Sequence, residues 1–136
     1  MTASGACPTW GEARSFLRER FALAKDSEEL AVLAFGIPWE GQEIRQWVRV
    51  SPVSVHGEPW LTVLSDICPQ STLAPARAFE LLNQIPFGGL WAVNGVYLFR
   101  HSLSLENLAL PQLEHAVRLV AYEALRLPVA VTPPAA

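Results

Sequence analysis

Three histidines and two cysteines are the residues of this chain best suited to nucleophilic or metal chemistry. His56 precedes Gly57 in a predicted turn, His101 ends a predicted strand, and His115 falls on the polar arc of a predicted helix. Cys7 and Cys68 have no C-x-x-C spacing and no neighbouring histidine, so they suit neither zinc nor a disulfide framework. A thiolate at Cys68 with His101 as its base would require the two to meet across a sheet. Asp66 and Pro69 lie beside Cys68 and no helix start holds it, so nothing in the sequence marks it as an activated thiol. It reads as a buried strand cysteine. No G-x-S-x-G, P-loop, H-E-x-x-H or G-x-G-x-x-G is present, and Gly88-Gly89 reads as a turn. The expectation is no catalytic residue, no cofactor and no metal.

Aromatic and arginine chemistry is more prominent. On the predicted second strand Ile44, Val48 and Val50 share one face while Arg45, Trp47, Arg49 and Ser51 share the other. On the third strand Leu61, Val63 and Ile67 oppose Trp60, Thr62, Leu64 and Asp66. Large apolar groups thus lie on both faces of the pair, which a sheet with one solvated face does not need. Tryptophan and arginine are frequent anchors of protein interfaces. Arg45, Trp47, Arg49, Trp60 and Leu64 are therefore the candidate protein-binding residues, the arginines steering an apolar or acidic segment. The same excess would be met by a homodimer interface. On the last predicted helix Leu119 and Leu125 fall outside the core arc, beside Arg118, Tyr122 and Arg126, and add to it.

The elements that position these residues follow from periodicity. Thr9 and Glu12 fit a capping box, and Trp10, Ala13, Phe16, Leu17, Phe21 and Ala24 recur at helical spacing, predicting a helix over 9–24. Arg14, Arg18 and Arg20, with Glu12 and Glu19 among them, read as its solvated face. Strands are predicted at 30–36, 44–53 and 60–68, with turns at 38–41 and around Gly57 and Pro59. A second helix covers 73–84, stopped by Pro86-Phe87-Gly88-Gly89. Segments 90–93 and 96–101 form a hairpin across Asn94-Gly95. Pro111 opens a last helix that Pro128 ends, its core arc formed by Leu113, Ala116, Val117, Val120, Ala121 and Ala124. The order is helix, three strands, helix, two strands, helix: an α+β domain whose antiparallel sheet is covered mainly on one face.

Composition sets the frame. With 136 residues and 51% hydrophobic positions against 17% charged, the chain is one domain over 1–136, with flexible tails at 1–8 and 129–136. Folding at this size buries roughly two thirds of the unfolded surface, enough for a core without metal or disulfides. The uncharged run Leu81 to Phe99 approaches a membrane span in length, but Asn83, Gln84, Pro86, Gly88, Gly89, Asn94 and Gly95 divide it. Ser4-Gly5-Ala6-Cys7 is preceded by too few residues for a signal sequence, so the cytoplasm is the expected compartment. Net charge is −3 and Lys25 is the one lysine, which disfavours nucleic acid, whose binders use a basic excess. An accessory factor stacking single-stranded nucleic acid on sheet aromatics, with Tyr97, Phe99 and His101 sharing a face, is the alternative function.

The second half resembles the bacterial YbjN-like family. The residues that carry this are Phe79-Glu80-Leu81-Leu82-Asn83, Phe87-Gly88-Gly89-Leu90, Val96-Tyr97-Leu98-Phe99-Arg100, the link through Leu105 and Leu108, and Pro111-Gln112-Leu113-Glu114. The resemblance implies a fold like that of the type III secretion chaperones, which are small, usually dimeric and hold extended segments of other proteins. It implies no catalytic or metal residues. The function expected is a non-enzymatic, homodimeric adaptor or chaperone-like protein that binds a partner protein through its sheet.

Overall fold

The first helix starts where its capping residues place it. In the computed structural model, which describes residues 8–85 and 87–131, α1 spans Trp10–Arg20. Thr9 Oγ1 accepts a hydrogen bond from the Glu12 N–H at 3.1 Å, and the Glu12 carboxylate accepts from the Thr9 N–H at 2.9 Å. The helix stops earlier than its periodicity predicts. Phe21 turns extended, its N–H closing onto the Leu17 carbonyl at 2.8 Å, and Leu23–Asp26 form a short strand, β1. Ala24 is therefore exposed on a strand instead of lying in a helical stripe. Two tertiary contacts account for the change. The Phe21 ring packs on Phe35, 5.4 Å between centroids, and Asp26 is gripped by Arg18 at 2.6 Å and Arg14 at 3.6 Å. The Arg18 hydrogen bond holds the Asp26 carboxyl below its usual range. Arg20 reaches Glu114 on the last helix at 3.2 Å. The arginines of α1 thus tie elements together, where the sequence suggested only a solvated face.

β2 (Ala31–Trp39), β3 (Gln42–Val55) and β4 (Glu58–Pro69) follow, then α2 (Pro75–Leu82), β5 (Gly89–Val93), β6 (Val96–Ser104) and α3 (Leu110–Val131). The order expected from sequence gains one strand, β1, and β2, β3 and β4 run longer than predicted. Every pairing is antiparallel, in the order β1-β2-β3-β4-β6-β5. The strands lengthen because their hairpins are as tight as hairpins can be. Glu40-Gly41, His56-Gly57 and Asn94-Gly95 have φ of 51° and 80°, 52° and 80°, and 51° and 80°. Two successive left-handed residues make a type I′ turn, whose twist matches that of the strands. The glycine at each second position accepts that φ without a Cβ clash.

All three helices lie on one face. Strand alternation turns Val48, Val50, Leu61, Val63 and Phe99 toward them, and each is fully buried. α3 crosses β4, β6 and β3 and also packs on α1 and α2. Its predicted core arc (Leu113, Ala116, Val117, Val120, Ala121 and Ala124) is buried throughout. Leu125 packs at the edge of this core, while Leu119 is half-buried. Pro128 does not end the helix, which continues to Val131. Proline disfavours a helical residue before it, yet Leu127 is buried in the core and packing holds it helical. Cys7, Pro86 and residues 1–7 and 132–136 of the expected tails lie outside the described residues. No helix among the described residues is long and apolar enough to cross a membrane.

The turn geometry is open to test. Gly95→Ala places a Cβ in the left-handed region and should lower stability by about 1–2 kcal/mol, read as a lower denaturant midpoint with unchanged slope. An unchanged midpoint would show that this hairpin is not type I′.

Candidate functional site

Helices cover one face of the sheet and leave the other open. Alternation puts Arg45, Trp47 and Arg49 of β3 on the open face with Leu64 and Asp66 of β4, Leu98 and Arg100 of β6, and Trp91 of β5. Register arranges them in rows. Arg49 lies opposite Leu64, and Leu64 opposite Arg100; Asp66 lies opposite Leu98, and Leu98 opposite Trp91. At about 4.8 Å between strands, Arg49 and Arg100 flank Leu64 at a spacing of about 10 Å. Trp47 is 51% exposed and Trp91 43%. Between them Leu98 is buried, as is Ala34 opposite Trp47 on β2. This is an apolar floor rimmed by indoles and guanidinium groups.

Each cation is held differently. Arg45 lies over the Trp47 ring, 5.8 Å from its centroid. Arg49 donates to Asp66 at 2.9 Å, an exposed pair worth at most about 1 kcal/mol. Arg100 sits 3.8 Å from the Trp91 centroid. Beneath the rim, the Ser65 hydroxyl is buried, donates to the Trp47 carbonyl at 2.6 Å and accepts from Gln46 Nε2 at 2.8 Å. Gln46 also donates to the Asp66 carbonyl at 3.2 Å. These side-chain bonds join β3 to β4 beyond Arg49 and Leu64, the first register pair of the two strands, and so hold the Trp47 backbone in place.

The structure brings Arg45, Trp47, Arg49 and Leu64 together. Trp60 shares their face by alternation but lies about 13 Å along β4 from Leu64. It lines a cleft of about 580 Å³ with Trp10, Pro52, Val53, Pro59 and Leu105, and its Nε1–H, itself buried, meets no acceptor among the described residues. Trp91 and Arg100 were missed. The two-residue hairpin that fixes Val93 opposite Val96 also fixes their parity, so the signal was available. Tyr97 and Phe99, considered as exposed stackers, face the helices and are buried. The more apolar parity of β6 belongs to the core.

The enzymatic candidates do not converge. Cys68 lies opposite Tyr97 and His101 opposite Val63, which separates them by four residues, about 13 Å, along the strands. His56 occupies the β3–β4 turn and His115 is exposed on α3. No group of three or more His, Cys, Asp or Glu side chains among the described residues could hold a metal ion. His101 instead packs edge-on to Phe87, 5.3 Å between ring centroids, and burial pushes its pKa below the ordinary 6.5.

Comparison with known proteins places the fold. No family model matches the chain, and no curated protein matches its sequence. Solved structures do match it. A chain of the ExsC–ExsE complex is similar with a TM-score of 0.61, covering 92% of this chain and 97% of that one at 13% identity. A chain of the HopA1–SchA chaperone–effector complex is similar with a TM-score of 0.53, covering 82% and 84% at 14% identity. The fold is therefore like that of these two chains, an α+β arrangement of helices on an antiparallel sheet. At these identities the likeness is one of fold.

The His101 environment predicts a pH effect. A histidine whose folded pKa is depressed contributes stability that is present above its unfolded pKa of 6.5 and lost as pH falls from there toward the folded value. The melting temperature should drop between pH 7.5 and pH 5, and His101→Gln should flatten part of that drop. An identical pH profile in the variant would exclude His101 as a source.

Proposed function

We propose that this chain is a non-enzymatic, cytoplasmic adaptor or chaperone-like protein that acts as a homodimer and binds a partner protein on its open sheet face. The observation that carries the reading is the pair of half-exposed indoles, Trp47 and Trp91, over an apolar floor with arginines at the rim. A monomer gains nothing by exposing so much aromatic surface, whereas interfaces concentrate tryptophan and arginine at their anchors. The YbjN-like reading of residues 78–127 and the fold shared with a chain of a chaperone–effector complex support the same role. In this reading Arg45, Trp47, Arg49 and Leu64 contact the partner, and Trp60 adds a second anchor at the far end of β4.

A separate patch supports the homodimer. β5 is an edge strand, and an exposed edge invites pairing. Beside it Phe79 on α2 is 68% exposed, next to a groove of about 280 Å³ lined by Ala78, Leu82, Leu90 and Tyr97. A protruding ring and an apolar groove on one patch suit a two-fold contact, in which each copy supplies both.

Three experiments test these claims. Trp47→Ala with Arg49→Glu should abolish partner capture from lysate while the far-ultraviolet spectrum stays native. An unchanged captured set removes the sheet face from the reading. Sedimentation at micromolar concentration should return twice the 15.0 kDa chain mass, and Phe79→Asp should return one chain. A native mass near one chain rules out the homodimer. Salt-sensitive binding to a labelled single-stranded oligonucleotide, lost in Trp47→Ala, would assign the face to nucleic acid instead.

A further inference from the structure

We propose that Arg100, laid on the Trp91 ring at the β5 end of the open face, is a receptor for a single carboxylate of the bound segment. This deepens the sheet-face reading and rests on it. β5 begins at Gly89, opposite Arg100, but β6 runs on to Ser104. Past that point β6 has β4 on one side and, among the described residues, no strand on the other. The notch so formed is a cavity of about 420 Å³ lined by Gly88, Gly89, Trp91, Arg100, His101 and Ser102, with Leu82 and Leu90 at its back.

Its chemistry selects an anion of one charge. Arg100 makes no ion pair among the described residues, unlike Arg49, Arg77, Arg118 and Arg126, each of which meets a carboxylate. The indole under its face leaves the guanidinium edge, with its fork of N–H donors, available for a bidentate acceptor. Beside it stand the Ser102 hydroxyl and, from alternate residues of the 101–104 stretch, backbone N–H groups turned to the open side. His101 is the other ionisable group lining the cavity, and burial pushes its pKa down. One fixed positive charge matches a carboxylate; a phosphate dianion would remain half compensated. The face around it agrees. On the neighbouring strands Arg49 is already paired with Asp66, while Arg45, like Arg100, rests on an indole. The partner segment is therefore acidic, with apolar side chains for the Leu64 and Leu98 floor.

The probe is a short peptide, blocked at both ends, with one aspartate between leucines. It is titrated into the full-length, isotopically labelled chain while the Arg100 side-chain and Trp91 indole resonances are followed by NMR. Both resonances should shift, and the asparagine counterpart should bind at least about tenfold more weakly, the loss expected for a charge-assisted bond. Arg100→Gln should bring the aspartate peptide down to the asparagine level. Trp91→Leu, which keeps the charge but removes its platform, should weaken it too. A leucine peptide with a free C-terminal carboxylate distinguishes a chain end from a side chain as the natural source. Equal binding of the aspartate and asparagine peptides, binding unaffected by Arg100→Gln, or no binding of any peptide overturns the assignment. So does inorganic phosphate shifting the same resonances more strongly than the peptide. If Trp47→Ala abolishes binding and Arg100→Gln does not, the sheet face survives and the carboxylate receptor fails.

Discussion

A six-stranded antiparallel sheet has two faces, and this chain has helices for one of them. The rest of the structure follows from that shortage. α3 lies across β3, β4 and β6 with an arc of alanines, valines and leucines, and the side chains it meets are the fully buried ones. Burying a side chain such as Leu61 or Phe99 contributes roughly 1.5–3 kcal/mol, so this face supplies most of the driving force for folding. The opposite face contributes little comparable burial, because no element among the described residues crosses it. Among those residues its apolar groups are covered by one another and by the stems and heads of its arginines.

Arginine suits that task for a physical reason. A guanidinium group is weakly hydrated and flat, so it rests on an indole without the cost of stripping a lysine ammonium. Stacking of this kind is worth about 0.5–1 kcal/mol at an exposed site and about 2 when water is excluded. Arg100 on Trp91 and Arg45 over Trp47 are thus modestly stable as they stand and would gain if a partner desolvated them. On the helical side Arg14 also lies over Trp10 and Arg20 over Phe16, but these arginines meet carboxylates as well. Arg14, Arg18 and Arg20 spend their charge on Asp26 and Glu114, which fasten α1 to β1 and to α3. One residue type serves two ends, and the placement of carboxylates decides which.

Much of this was legible in the chain. The Thr9–Glu12 cap, the Asn94-Gly95 hairpin, the apolar arc of α3 and the alternation that sends Trp47 and Arg49 away from Val48 and Val50 are local patterns, and local patterns survive folding. The misreadings share a cause. Phe21 to Ala24 continues the helical spacing but is drawn into extended backbone by Phe35 and by the grip of Arg14 and Arg18 on Asp26. Leu127 precedes a proline but stays helical because the core holds it. Tyr97 and Phe99 looked like a surface only because the side that α3 would cover could not be known. In the first two, packing outweighed a local preference: a few tenths of a kcal/mol per residue for the helical stripe, and about 3 kcal/mol for a proline inside a helix.

By itself, the sequence determined the α+β class, five of the six strands described and the side chains that share each strand face, since these depend on spacing within a few residues. Only the tertiary structure decided which face the helices cover and how the strands lie beside one another. The insertion of β6 between β4 and β5 carries Arg100 into line with Arg49, and the early start of β6's free edge leaves a notch beside it. The first depends on pairings between residues 27 (Pro69 with Val96) to 44 (Trp60 with Ser104) positions apart, which no local preference encodes. That is why Arg45, Trp47 and Arg49 could be read from the chain, while the alignment of Trp91 and Arg100 with them came only from the fold.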